Sequence, residues 1–143
     1  MKYFGFSGSV LGMKNIYKVI VETSPKDPPK DFEMSAALIA AGYFKTDVIF
    51  QRQQILKSPD LIVRGQIWEL KSPIGDGKNT IHNNIKNARK QSVNIIVDLR
   101  RCKLHERKAF ANIRDIYKKR RRKTGKYLII TKSGKVIDID GIL

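Results

Sequence analysis

Residues 58–73, SPDLIVRGQIWELKSP, constrain the fold more than any other stretch of the chain. LIV (61–63) and QIWELK (66–71) have the apolar density of buried strands. Arg64-Gly65 between them suits a two-residue hairpin turn, because glycine tolerates positive φ. With those two residues as the loop, Val63 is predicted opposite Gln66 and Asp60 opposite Glu69. Directly opposed residues hold their Cβ atoms only ~5 Å apart, so like charges there repel. Glu69 and Lys71 are two residues apart and share the face of Asp60, whereas Trp68 and Leu70 turn toward the core. Two acids and a lysine are thus expected on one small patch of a sheet.

Carboxylates forced together share a proton, pair with a cation or bind a metal. A hard divalent cation, Mg2+ above all, takes oxygen ligands and keeps waters for a phosphate substrate. Asp60 and Glu69 are therefore candidate metal ligands. Lys71 would orient a water or stabilise charge building on the phosphate. The structural alternative is an Asp–Lys–Glu ion-pair cluster on a half-exposed sheet face.

Before the hairpin, NIYKVIVE (15–22) suits either a strand or a short helix. SPKDPPKD (24–31) is a proline-rich linker that would divide an N-terminal segment, 1–31, from a main domain, 32–143. FEMSAALIAAGYF (32–44) is predicted helical and buried, with Asp31 at its start and Gly42 near its end. DVIF (47–50) is a further strand. After the hairpin, residues 78–91 are predicted as a polar helix with Ile81, Ile85, Ala88 and Ser92 on one stripe. VNIIVDL (93–99) is expected to be a strand covered on both faces. Residues 105–119 form an amphipathic helix with Phe110, Ile113 and Tyr117 inward, and 126–139 a hairpin turning at Ser133-Gly134. The fold class is α/β: helix, three strands, helix, strand, then a helix and hairpin.

The charge is lopsided. Twenty-nine Lys and Arg against 13 Asp and Glu give +16 over 143 residues. Such a field favours a polyanion, and its usual partner is nucleic acid or an anionic membrane; the bland alternative is charge that only keeps the protein soluble. The lone Cys102 excludes an internal disulfide and a cysteine metal cluster. No apolar run is long enough for a membrane span. The glycine-broken start lacks the marks of a signal peptide. SPIGDGKNT (72–80) lacks the order of a phosphate-binding P-loop, so no nucleotide cofactor is expected.

Pro59-Asp60, eight residues, then Glu69-Leu70-Lys71 resembles the PD-(D/E)xK nuclease signature. More narrowly, the hairpin, NTIHNNIKNARKQSVNIIVDL and the helix carrying Glu33 resemble the C-terminal tRNA-nuclease domains of contact-dependent growth inhibition (CdiA-type) toxins, over roughly residues 32–100. The resemblance implies a single restriction-endonuclease-like core and a metal-dependent ribonuclease acting on tRNA. It implies Asp60 and Glu69 as metal ligands, Lys71 as the catalytic lysine and Glu33 as the helix acid near the metal. Thr80, Asn84 and Gln91 would lie toward the active-site face. It further implies delivery as part of a larger secreted or cell-surface toxin, action in the target-cell cytoplasm and neutralisation by a cognate immunity protein. Charge complementarity makes that partner acidic.

The supporting residues have bland readings beside these. Glu33 in a first helical turn also suits the helix dipole. Gln91 either hydrogen-bonds Lys71 or a phosphate, or sits on a solvated flank with Thr80 and Asn84. Lys86 and Arg89 lie on the basic flank of the same helix. His82 and His105 are expected at the surface. Arg100–Lys126 holds 13 basic residues and two acidic ones. That run, with Lys118, Arg120 and Arg121, is expected to lie on RNA phosphates. It would otherwise be a solvated connection. A DNA nuclease with the same acids, or a non-catalytic nucleic-acid-binding module, stands as the alternative. RNA can also be cut by its own 2′-hydroxyl, with Lys71 and an acid as base and acid.

Overall fold

A computed structural model describes residues 2–5, 9–10, 13–14, 16–52 and 58–142, with side chains described for 16–52 and 58–142. The chain gathers into two compact units, Met1–Ile67 and Trp68–Leu143. In the first unit, β1 (Lys2–Gly5) is followed by the two-residue strands β2 (Ser9–Val10) and β3 (Met13–Lys14), which pair with each other. Then come β4 (Lys18–Glu22), α1 (Asp31–Phe44), β5 (Val48–Arg52) and β6 (Pro59–Val63). β1 runs antiparallel to β4, β4 parallel to β5, and β5 antiparallel to β6. Residues 18–22 are thus a strand. The proline-rich stretch lies inside this unit, linking β4 to α1 in a β–α–β crossover.

α1 is built from small residues. Ala36, Ala37, Ala40 and Ala41 are all buried, and alanine combines high helix propensity with close approach to a sheet. Alternation along β4, β5 and β6 places Val19, Val21, Val48, Phe50 and Leu61, all buried, on one face. The helix ends beyond Gly42. Lys45 takes the left-handed cap at φ 55° and donates its N–H to Ala41, and Arg64 Nη2 donates to the Phe44 carbonyl at 2.8 Å.

β7 (Gln66–Lys71) follows after two residues, and both Arg64 (φ 48°) and Gly65 (φ 81°) have positive φ. Positive φ at both central positions is what a type I′ turn requires.

In the second unit, Trp68–Lys71 of β7 is followed by α2 (Thr80–Arg89), β8 (Ile95–Asp98), α3 (Glu106–Lys119), β9 (Tyr127–Ile130), β10 (Val136–Asp138) and a 3-10 turn, Ile139–Ile142. β7, β8 and β9 run parallel, and β10 closes antiparallel on β9. Parallel neighbours need crossovers, and α2 and α3 supply them. Ile81, Ile85 and Ala88 of α2 and Ile113, Ile116 and Tyr117 of α3 pack in one core with Ile95, Val97, Tyr127 and Ile129. The α3 stripe is rotated slightly from expectation: Ala109 and Ile116 are buried and Phe110 only partly so. Every residue of β8 is buried, as its unbroken apolar run predicts. From α1 on, the elements follow the expected chain order.

Gly125 (φ 83°) lies beside Val93, where a Cβ would fall 2.1 Å from the Val93 carbonyl oxygen; at Gly65 a Cβ would meet nothing within 4 Å. Gly125→Ala should therefore cost more than about 3 kcal/mol in urea unfolding. Gly65→Ala should cost only the about 1–2 kcal/mol of a left-handed non-glycine residue.

Candidate functional site

The first unit holds two buried acids. Asp60 pairs across the ladder with Gln51, and Gln51 with Glu22, so these three share one row. Asp60 is 4% exposed. Its Oδ1 is buried without a hydrogen-bond partner among the described residues. Leaving a carboxylate oxygen dry and unbonded costs on the order of 1–3 kcal/mol.

Glu33 does not join that row. Its carboxylate accepts the N–H of Lys30 at 2.9 Å, capping α1. It also accepts both terminal nitrogens of Arg52, Nη1 to Oε2 at 3.0 Å and Nη2 to Oε1 at 2.5 Å. Asp27 Oδ2 lies 3.0 Å from Arg52 Nε. The hydrogen bond to Glu33 holds the Arg52 guanidinium above its usual range, against the opposing effect of burial. Arg52 neighbours Gln51 in β5 and so projects to the face opposite Gln51 and Asp60. Glu33 is thereby tied to the opposite face from Asp60, as helix cap and partner of Arg52. The sequence offered no sign of this partner, which is nineteen residues away.

In the second unit, Glu69 is fully buried, and Lys71 Nζ stands 3.7 Å from its Oε1 with a side chain only 13% exposed. Parallel register aligns Glu69 with Ile95 and Tyr127, and Lys71 with Val97 and Ile129. Both charges therefore lie in rows that belong to the core under α2 and α3. Gln91 follows α2, and its Oε1 is buried without a hydrogen-bond partner among the described residues. Thr80 opens α2, and Asn84 Nδ2 donates to the Thr80 carbonyl at 2.8 Å. Asp98, which the sequence reading did not single out, is also fully buried. Arg100 neutralises it through Nε to Oδ1 at 2.9 Å and Nη2 to Oδ2 at 2.8 Å. A lone acid ending an otherwise apolar strand was the available signal.

Among the described residues, no group of three or more His, Cys, Asp or Glu side chains is arranged to hold a metal ion. Magnesium commonly rests on one or two carboxylates, with water and substrate phosphate completing its shell. The orphaned oxygen of Asp60 fits such a role.

The basic residues fall into two groups. Lys86 and His82 are exposed on α2, and His105 caps α3, its Nδ1 accepting the N–H of Arg107. Arg89, by contrast, is fixed: Nε donates to the Tyr127 hydroxyl at 2.9 Å and Nη2 to the Ile116 carbonyl at 3.2 Å. Arg120 stacks 3.4 Å over the Tyr117 ring, and its Nη1 donates to the Tyr117 carbonyl at 2.8 Å. Arg89, Arg120 and Arg121 line one cavity of about 500 Å3, while the Lys118 carbonyl accepts the Lys123 ammonium.

A family model described as the contact-dependent growth inhibition CdiA C-terminal domain matches residues 57–136. The chain belongs to the CdiA C-terminal domain family. It is a toxin domain of that family, the kind carried at the end of a larger cell-surface protein. The match runs past the 32–100 span of the sequence resemblance and takes in α3, β9 and the turn that leads into β10. It includes Asp60, Glu69, Lys71, Gln91 and the basic cavity, and leaves out Glu33. Among solved structures, the chain is similar to a CdiA-CT/CdiI toxin and immunity complex from Burkholderia pseudomallei. The similarity has a TM-score of 0.50 and 23% identity, over 83% of this chain and 97% of that one. No curated protein matches this CdiA C-terminal domain in sequence. None of its described helices is long and apolar enough to cross a membrane.

Two outcomes follow for this CdiA domain. Arg52→Ala strands Glu33 in a buried position and should cost about 3 kcal/mol in urea unfolding, with part recovered on adding Glu33→Ala. Burial and the hydrogen bond to Asp140, 2.7 Å from the Tyr117 hydroxyl, push the Tyr117 phenol above its ordinary value. The raised value means its contribution is intact below pH about 10 and lost as pH rises through the folded-state pKa. Urea midpoints should fall above that pH, and Tyr117→Phe should flatten the slope.

Proposed function

We propose that this toxin domain is a metal-dependent endoribonuclease that cuts structured RNA, with tRNA as the substrate class. The observation that carries the reading is the Glu69–Lys71 pair. A carboxylate and an ammonium in an apolar core lose several kcal/mol of hydration each, and a packed apolar pair would often be at least as stable. Such an arrangement is readily understood as one kept for chemistry. Asp60, with its buried orphan oxygen, is the second carboxylate. The positive-φ turn at Arg64-Gly65 supports the hairpin on which its pairing with Glu69 was predicted. The chain order of elements agrees with a PD-(D/E)xK core.

In this reading Asp60 and Glu69 would hold the divalent cation, which when bound supplies Lewis-acid polarisation of a phosphoryl oxygen. Lys71, beside Glu69, orients the attacking water or neutralises charge on the phosphate. Gln91 hydrogen-bonds the substrate phosphate or Lys71. Thr80, Asn84 and Lys86 line the approach, and Arg89, Lys118, Arg120 and Arg121 hold the backbone. Glu33 acts at one remove, by holding Arg52 against α1. The similar structure from Burkholderia pseudomallei is a toxin–immunity complex. With a net charge of +16, this domain would likewise be neutralised by an acidic immunity protein, and it would act in the target-cell cytoplasm.

Incubating the purified protein with total RNA, in magnesium or in EDTA, tests the reading. Discrete tRNA-sized fragments should appear only with the metal. Asp60→Ala and Lys71→Ala should each lower the rate by about 100-fold or more while keeping the wild-type circular dichroism spectrum. Cleavage in EDTA with 2′,3′-cyclic phosphate ends would replace the metal with 2′-hydroxyl attack. Intact RNA beside degraded duplex or branched DNA would replace the substrate.

A further inference from the structure

Within the second unit, the last turns of α2 and α3 and the entry to β9 enclose a cavity of about 500 Å3. Arg89, Lys119, Arg120, Arg121, Arg122 and Tyr127 line it, and no acidic residue does. Two of its guanidinium groups are preset. Arg89 is braced by Tyr127 and the Ile116 carbonyl, and Arg120 by the face and carbonyl of Tyr117. Arg120 Nε is buried without a hydrogen-bond partner among the described residues. Arg121 and Arg122 are exposed at the rim, and Lys119 is loosely tied to exposed Asp115 at 3.2 Å. Preset forks suit a phosphate, because little side-chain entropy remains to be lost when it arrives.

The size decides between ligands. A single carboxylate or phosphate fills only a small part of such a volume, which falls in the about 300–1,000 Å3 range of small-molecule pockets. A nucleotide paired inside an RNA helix enters a concave site only by unpairing and unstacking, at a free-energy cost that an unpaired nucleotide does not incur. An unpaired one enters directly, with its phosphate on Arg89 and Arg120 and its base against the guanidinium planes of Arg121 and Arg122. We propose that this cavity takes one unpaired nucleotide of the RNA substrate, so that the toxin selects RNAs presenting a single-stranded end or loop. The inference rests on the ribonuclease reading for its substrate, but it concerns binding and is tested without cleavage.

The test uses the full chain carrying Lys71→Ala, in EDTA, with fluorescence anisotropy on two labelled RNA hairpins, one blunt and one with a four-nucleotide 3′ overhang. Adding Arg121→Ala and Arg122→Ala should weaken overhang binding at least about tenfold and lower its salt slope by roughly 1–2. Blunt-hairpin binding should change far less. Arg120→Lys, which keeps the charge but loses the fork, should also weaken overhang binding selectively. The control pair Lys132→Ala and Lys135→Ala removes equal charge from the exposed turn before β10 and should weaken both RNAs alike and modestly. In the parent chain, adenosine 5′-monophosphate should displace the overhang RNA at lower concentration than inorganic phosphate.

Equal losses on blunt and overhang RNA would overturn the proposal in favour of a general basic surface. So would losses matched by the control pair, or a nucleotide competing no better than phosphate. Displacement by polyglutamate, with RNA affinity untouched by the arginine changes, would reassign the cavity to an acidic protein. Wild-type chain that binds overhang RNA through these arginines yet cuts nothing would sink the nuclease reading and leave the cavity assignment standing.

Discussion

The parallel pairing of β7, β8 and β9 is the constraint from which the second unit follows. Parallel strands cannot be joined by tight turns, so each step along the ladder needs a helix, and those helices cover the sheet. β8 is consequently buried throughout. Any charge on its neighbours must be answered inside the protein, because little water reaches it. Glu69 and Lys71 stand in the rows of Ile95 and Val97 under that cover, and their position gives them chemical interest.

Four acids are buried among the described residues: Glu33, Asp60, Glu69 and Asp98. Three lie beside a cation. Arg52 grips Glu33 and Arg100 grips Asp98 through forked hydrogen bonds, whereas Lys71 approaches Glu69 at the looser 3.7 Å. Forked arginine contacts satisfy a carboxylate's lone pairs and lock its orientation. Asp60 is buried as well, and its Oδ1 has no hydrogen-bond partner among the described residues.

The positive charge divides in a similar way. Much of the +16 sits on exposed side chains such as Lys86, Lys118 and Lys132, which set a long-range field. Arg89 and Arg120 are different, since tyrosines and backbone carbonyls hold them in place. The same tyrosines, Tyr117 and Tyr127, pack edge to face with ring centres 5.0 Å apart. They fill the core with their rings while anchoring arginines with a hydroxyl or a ring face. Tyr117 points inward as its helical stripe predicts, and both tyrosines sit in the core as supports for guanidinium groups.

Periodicity and turn chemistry made much of the local structure legible. The two-residue turn at Arg64-Gly65, the exact span of β7, the stripe on α2 and the buried run of β8 all depend on near neighbours, and near neighbours are what a sequence displays. Glu69 and Lys71 could be placed on one face for the same reason. The strand in 18–22 could not be told from a helix, because its parallel pairing with β5 lies across the whole of α1. Arg52 and Arg100 were not singled out, and the grouping of Arg89 with the basic run after α3 was not visible. Those relations are set by packing between segments far apart in the chain. The sequence by itself determined which residues alternate, turn and carry charge. Only the tertiary structure decided which buried acids are neutralised and which arginines are held still, because burial and partner choice depend on long-range packing.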